Sequence, residues 1–89
     1  MSKPLAFMPE AWADYLHWQE QDKKSIKRIN LLLKDIVRNE FTGIGQPEPL
    51  KHNLNGLWSR RINAKHRITY EITDNQILIL SCRHHYDDN

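Results

Sequence analysis

LKHNLNGLWSRRINAKHRITYEITDNQILILSC, residues 50–82, alternates apolar and polar side chains in short runs broken by turn dipeptides. The runs LKHNL (50–54), LWSRRIN (57–63), HRITYEIT (66–73) and QILILSC (76–82) have the period of two expected of half-buried strands. Asn55-Gly56 and Asp74-Asn75 are tight-turn signals, so four antiparallel strands are expected. Parity assigns the faces. Ile68, Tyr70 and Ile72 share one side and Arg67, Thr69 and Glu71 the other, which places Arg67 on the exposed face. In the preceding strand Trp58, Arg60 and Ile62 share a side opposite Leu57, Ser59 and Arg61. Arg60 and Arg61 therefore diverge, and Arg61 is the better candidate for an open face because Ile62 suits a core.

Upstream the period lengthens. Ile26, Ile29, Leu33, Ile36 and Val37, widened by Leu32, recur at helical spacing behind Asp22, whose carboxylate can cap a helix. Lys23, Lys24, Lys27, Arg28 and Lys34 cover the other side of that helix, where they read most simply as a solvated face. Before Asp22, Trp12, Tyr15, Leu16 and Gln19 form an aromatic stripe that predicts the buried face of an earlier helix, with Asp14, His17 and Glu20 largely outside it. Pro9 and Glu10 suit its first turn. LAFM (5–8) is a short strand that would complete the sheet, and NEFTGIGQPE (39–48) is a loop. The expected fold is α+β: an N-terminal strand and a two-helix hairpin packed on a mainly antiparallel sheet of four or five strands.

Eighty-nine residues are expected to form one domain, 1–89, with 87–89 a short acidic tail. No apolar run approaches the roughly 20 residues that span a bilayer, and MSKPLAFMPEAW lacks the apolar core of a secretory signal, so a cytoplasmic protein without membrane association is expected. Cys82, the single cysteine, ends an apolar run and reads as an inert core thiol. The net charge of +2 is too small to identify a partner. Its distribution says more: Lys51, Arg60, Arg61, Lys65 and Arg67, with His52 and His66, fall in a stretch without a single acid.

RNA carries its own nucleophile, the 2′-hydroxyl, so cutting it without a metal requires a base, an acid and cations for the charge that develops at phosphorus. Glu48 is a carboxylate set among cations, His85 is a side chain that titrates near neutral pH, and Lys51, Arg61 and Arg67 can hold phosphate oxygens. Such residue types are common in small proteins and do not by themselves identify an enzyme.

The string PEPLKHNLNGLWSRRINAKHRITYEI, with DYLHWQEQDKKSIKRIN before it and CRHHY after it, closely resembles the YoeB-type toxins of the RelE superfamily, from about Trp12 to Tyr86. The resemblance implies a RelE-like microbial ribonuclease fold and the toxin of a type II toxin–antitoxin module. It further implies a metal-independent endoribonuclease that cleaves mRNA in the ribosomal A site and is silenced by a YefM-type antitoxin. On it Glu48 matches the general base, Arg67 the phosphate-stabilising arginine and His85 the general acid. Lys51 and Arg61 match residues that bind or activate the scissile phosphate, and Tyr86 the aromatic residue that closes the site. Arg60, Lys65, Lys23, Lys24, Lys27 and Arg28 would then contact the ribosome by charge. A homodimer is also implied. The chain departs from the family pattern in carrying Asp87, Asp88 and Asn89 after the closing tyrosine, and His84 where tyrosine is usual.

Two other classes are compatible with the residues: a non-catalytic toxin of the same superfamily that binds a protein target, as ParE proteins do, and a plain RNA-binding module. The first should lack the combination of Glu48, Arg67 and His85, and the second should tolerate loss of Glu48. No cofactor is expected. His52, His66, His84 and His85 lack the spacing of a zinc motif, and Trp58 reads as a core residue before it reads as a base-stacking one.

Overall fold

A computed structural model of the chain describes residues 2–50 and 56–84. Strand β1 (Leu5–Phe7) leads into helix α1 (Pro9–Gln21), and a single residue, Asp22, separates it from helix α2 (Lys23–Arg38). Strands β2 (Glu48–Pro49), β3 (Leu57–Arg61), β4 (Arg67–Ile72) and β5 (Ile77–Ser81) follow. They form one sheet in the order β1-β5-β4-β3-β2, in which β1 runs parallel to β5 and the remaining pairs are antiparallel. The expected α+β architecture is observed, with β1 completing the sheet beside β5.

Asp22 turns the chain between the helices. Its Oδ1 accepts the amides of Lys24 (3.1 Å) and Ser25 (3.3 Å) and its Oδ2 the Ser25 hydroxyl (2.8 Å). These bonds, led by the hydroxyl, hold the carboxyl below its ordinary range. The apolar face of α2 is as expected: Ile29, Leu32, Leu33 and Ile36 are buried against Ile68, Tyr70, Ile77 and Ile79 of the sheet. Each fully buried aliphatic side chain stabilises the fold by roughly 1.5–3 kcal/mol.

In α1 the buried face differs from the predicted stripe. Trp12 and Leu16 are exposed, whereas Ala11, Asp14 and Trp18 are buried. The cause is hydrogen bonding at the end of β5. Asp14 Oδ2 accepts the amide of Cys82 (2.9 Å), and Trp18 Nε1 donates to the carbonyl of the same residue (2.8 Å). Four residues apart on one helix face, the two side chains satisfy both backbone groups of a buried residue, which apolar side chains could not do. Trp12 stacks instead on Tyr15, their ring centroids 5.7 Å apart, with Phe7 at their edges. Cys82 is buried as expected, and burial pushes its thiol up to about 12.

Of the strand expected over 50–54 only Leu50 lies among the described residues, its amide donating to the Leu57 carbonyl at 2.9 Å. Pairing with β3 occurs at Glu48 and Pro49, inside the segment read as loop, while residues 51–55 fall outside the described ones. Proline is tolerated there because β2 is an edge strand. The Asp74-Asn75 turn is observed, closed by Thr73 N–H donating to the Gln76 carbonyl at 3.0 Å.

Candidate active site

The face of the sheet turned away from the helices is assembled by strand register. Glu48 is the partner of Ser59, Ser59 of Thr69, and Thr69 of Ser81. Two residues along from Ser59 and Thr69, Arg61 and Arg67 are direct partners across β3 and β4. Side chains two apart share a face, so Glu48, Arg61 and Arg67 lie on one side of the sheet. The strand of Glu48 is about 10 Å from that of Arg67, with an offset of about 7 Å along the strands, a span that long side chains and a bound phosphodiester can bridge.

The two arginines differ in setting. Arg61 is exposed, its amide donating to the Gly45 carbonyl at 2.7 Å and its own carbonyl receiving Arg28 Nη2 at 3.4 Å. Arg67 has the predicted parity but is buried, 6% exposed, rather than open. Its Nη1 donates to the carbonyls of Asn63 (3.1 Å) and His66 (3.5 Å), so the loop before β4 holds the guanidinium. That loop is itself tied down: Asn63 Oδ1 accepts the amides of Lys65 and His66, and the His66 carbonyl accepts Ile62 N–H. A cation held in this way loses little freedom when it meets an anion.

Arg60 corrects an expectation. The resemblance groups it with the ribosome-contacting charges, but its side chain is fully buried on the helix side of the sheet, beside the core positions its parity shares. Its Nη1 pairs with Asp35 Oδ2 at 2.6 Å and donates to the Ile44 carbonyl (3.2 Å), and Nε donates to the Tyr70 hydroxyl (3.0 Å). Nη2 donates to the carbonyls of Thr42 (2.8 Å) and Asn39. With its donors engaged inside the protein, Arg60 knits the loop after α2 to the sheet and is closed to any partner. Asp35 is held below the ordinary carboxylate range by its bonds to Arg60, Ile44 and Asn39, which outweigh desolvation.

The other proposed contacts are accessible. Lys23, Lys24, Lys27 and Lys65 are exposed and Arg28 is half-buried. Lys24 and Arg28 line a groove of about 260 Å³ with Asp22, Ser25, Ile62 and Asn63, which brings the start of α2 beside the end of β3. Trp58 packs half-buried against the core and against Phe41, in keeping with its expected role. Lys51, His85 and Tyr86 lie outside the described residues, as do His52 and the 87–89 tail.

Sequence reasoning did not find what surrounds His84. β5 ends at Ser81, so strand alternation does not reach His84. His84 has a left-handed backbone, φ 64°, and is held at both of its peptide groups. Its amide donates to His66 Nδ1 at 2.8 Å, and its carbonyl accepts the Arg67 amide at 3.0 Å. Residues 18 apart in sequence carry no periodic signal of such a contact. Among the described residues, no group of three His, Cys, Asp or Glu side chains could hold a metal ion, and no helix is long and apolar enough to cross a membrane.

Comparison with known proteins places this geometry in a family. The profile of the YoeB-like toxin of bacterial type II toxin-antitoxin systems matches residues 7–86. Toxin YoeB of Synechocystis is 60% identical over 82 residues, covering 92% of this chain and 95% of the relative. The YoeB dimer from Staphylococcus aureus superimposes with a TM-score of 0.89 at 50% identity, over 97% of this chain and 100% of that one. The S. aureus YoeB-YefM complex gives 0.85 at 49% identity, with the same coverage.

Proposed function

Given that the chain belongs to the YoeB-like toxins of bacterial type II toxin–antitoxin systems, we propose that it is a ribosome-dependent endoribonuclease cleaving mRNA in the A site. Glu48 takes the proton from the 2′-hydroxyl, and the oxygen attacks the adjacent phosphorus. Arg67, with Arg61 and Lys51, stabilises the charge on the phosphorane oxygens. The bond from phosphorus to the 5′-oxygen breaks as His85 gives that oxygen a proton. The products are a 2′,3′-cyclic phosphate and a free 5′-hydroxyl, and no metal enters the reaction. Tyr86 closes the site over the nucleotide. The ribosome holds the mRNA in line for attack, which a small open sheet face does poorly alone.

The observation that carries this reading is the direct pairing of Arg61 with Arg67. Two cations side by side on one face of the sheet, one of them held in place by loop carbonyls, suit the oxygens of a phosphodiester. Glu48 on the same face supplies the base. Lys23, Lys24, Lys27, Arg28 and Lys65 engage rRNA phosphates, and Arg60 has no part in binding. A YefM-type antitoxin silences the toxin by folding an acidic segment across the sheet face. The toxin acts in the cytoplasm, as a homodimer.

The test is cleavage of a defined mRNA on programmed ribosomes, with a ribosome-free control. Glu48→Gln and His85→Gln should each lose on the order of a hundredfold to ten-thousandfold in rate. Ribosome binding without cleavage by the wild type would replace the enzyme with a binding protein of the same fold.

A further inference from the structure

His66 is half-buried immediately before β4. Its ring packs edge-on against Trp18, 4.9 Å between centroids, and lies 5.6 Å from the His84 ring. Its Nδ1 accepts the His84 amide at 2.8 Å, which requires a neutral imidazole with the proton on Nε2. The Arg67 amide holds the His84 carbonyl from the same strand start, and α1 fixes Cys82 two residues earlier through Asp14 and Trp18. The segment Cys82–His84 is thus fastened at both ends just before the chain reaches His85.

We propose that His66 is a positioning residue for the reaction, its Nδ1 latching the amide of His84 and so fixing the backbone at the residue that precedes His85 in the sequence. This rests on the nuclease reading above, in which His85 is the acid and Arg67 the phosphate ligand. A fixed backbone at His84, itself in a left-handed conformation, limits the freedom of the residue joined to it, and misplacement of an acid is costly to proton transfer.

The latch also titrates. Burial, followed by the charges of His84, Lys65, Arg83 and His17, lowers the pKa of His66 and keeps the acceptor neutral. Those groups cover its surroundings: His17 from α1, Lys65 from its own loop, and Arg83 and His84 from the segment it holds. Protonation converts Nδ1 from acceptor to donor and opens the latch, so turnover should fall on the acid side.

Two variants separate latch from packing. His66→Phe keeps a ring against Trp18 without an acceptor, and His66→Asn places an amide oxygen near the position of Nδ1 and cannot titrate. On programmed ribosomes His66→Phe should lose about tenfold in kcat with KM unchanged, the worth of one hydrogen bond, while His66→Asn stays within about threefold of wild type. His66→Asn should also retain turnover to lower pH than the wild type. In the free ¹⁵N-labelled protein the His84 amide should exchange about tenfold faster in His66→Phe and near the wild-type rate in His66→Asn. Equal losses in the two variants, or unchanged His84 exchange in His66→Phe, overturn the latch. A wild type that cleaves beside a His66→Phe variant of equal rate overturns the positioning role alone, whereas a wild type that fails to cleave overturns the nuclease reading and this role with it.

Discussion

Two adjacent arginines have opposite tasks, and single substitutions should separate them. Arg60→Met leaves Asp35, the Tyr70 hydroxyl and several loop carbonyls without their donor, so unfolding free energy should drop by about 3–5 kcal/mol in urea titrations. Arg61→Met removes an exposed charge facing Arg67 and should change stability by less than about 0.5 kcal/mol, with its effect confined to cleavage. Equal destabilisation by both would contradict the burial contrast. Parity had already put Arg60 among core positions, and only its charge argued for the surface. A buried guanidinium is rare because it needs so many acceptors, and the acceptors here are loop carbonyls that no residue pattern announces. His66 adds a pH signature. Its folded pKa lies below the ordinary 6.5, so the unfolded chain binds more protons in the interval between the two values. Stability from neutral His66 is complete above about pH 6.5 and is lost as the pH falls through the lowered value. Urea midpoints should decline over that window in the wild type and stay flatter in His66→Asn, well before Asp22 and Asp35 begin to protonate below 3.8.

At the scale of elements, α1 holds the sharpest contrast. Trp18→Phe loses the bond to Cys82 and should cost about 1 kcal/mol or more by thermal unfolding, while Trp12→Ser at an exposed position should cost less, despite removing the larger apolar surface. The periodicity of α2 was readable because its buried face beyond the capping turn is aliphatic: Ile29, Leu32, Leu33 and Ile36. That of α1 was misread by part of a turn because one of its core positions is an aspartate, buried for the sake of a backbone amide 68 residues away. The pairing of Glu48 and Pro49 was not legible for a related reason: a two-residue edge strand has no alternation to read. The three longer strands, the Asp22 cap and the Asp74-Asn75 turn rest on local chemistry and were legible.

For the molecule as a whole, the charges divide between a sheet face bearing Arg61 and Arg67 and the exposed cations of α2 and Lys65. If the latter bind rRNA backbone, replacing Lys23, Lys24 and Lys27 together by Gln should lower the salt dependence of ribosome binding by about one unit of slope per residue, leaving kcat intact. An unchanged slope would remove α2 from the interface. The site itself was only half legible, since register makes Glu48, Arg61 and Arg67 neighbours but the fastening of Cys82 and His84 depends on contacts far apart in sequence. The strand order carries one more consequence. β5, the last strand among the described residues, lies inside the sheet between β1 and β4, and α1 waits for Cys82 to satisfy Asp14 and Trp18. A nascent chain still lacking β5 has an incomplete core and no arranged site. Toxicity should therefore begin only once β5 has emerged, which gives a waiting inhibitor time to meet the toxin as it matures.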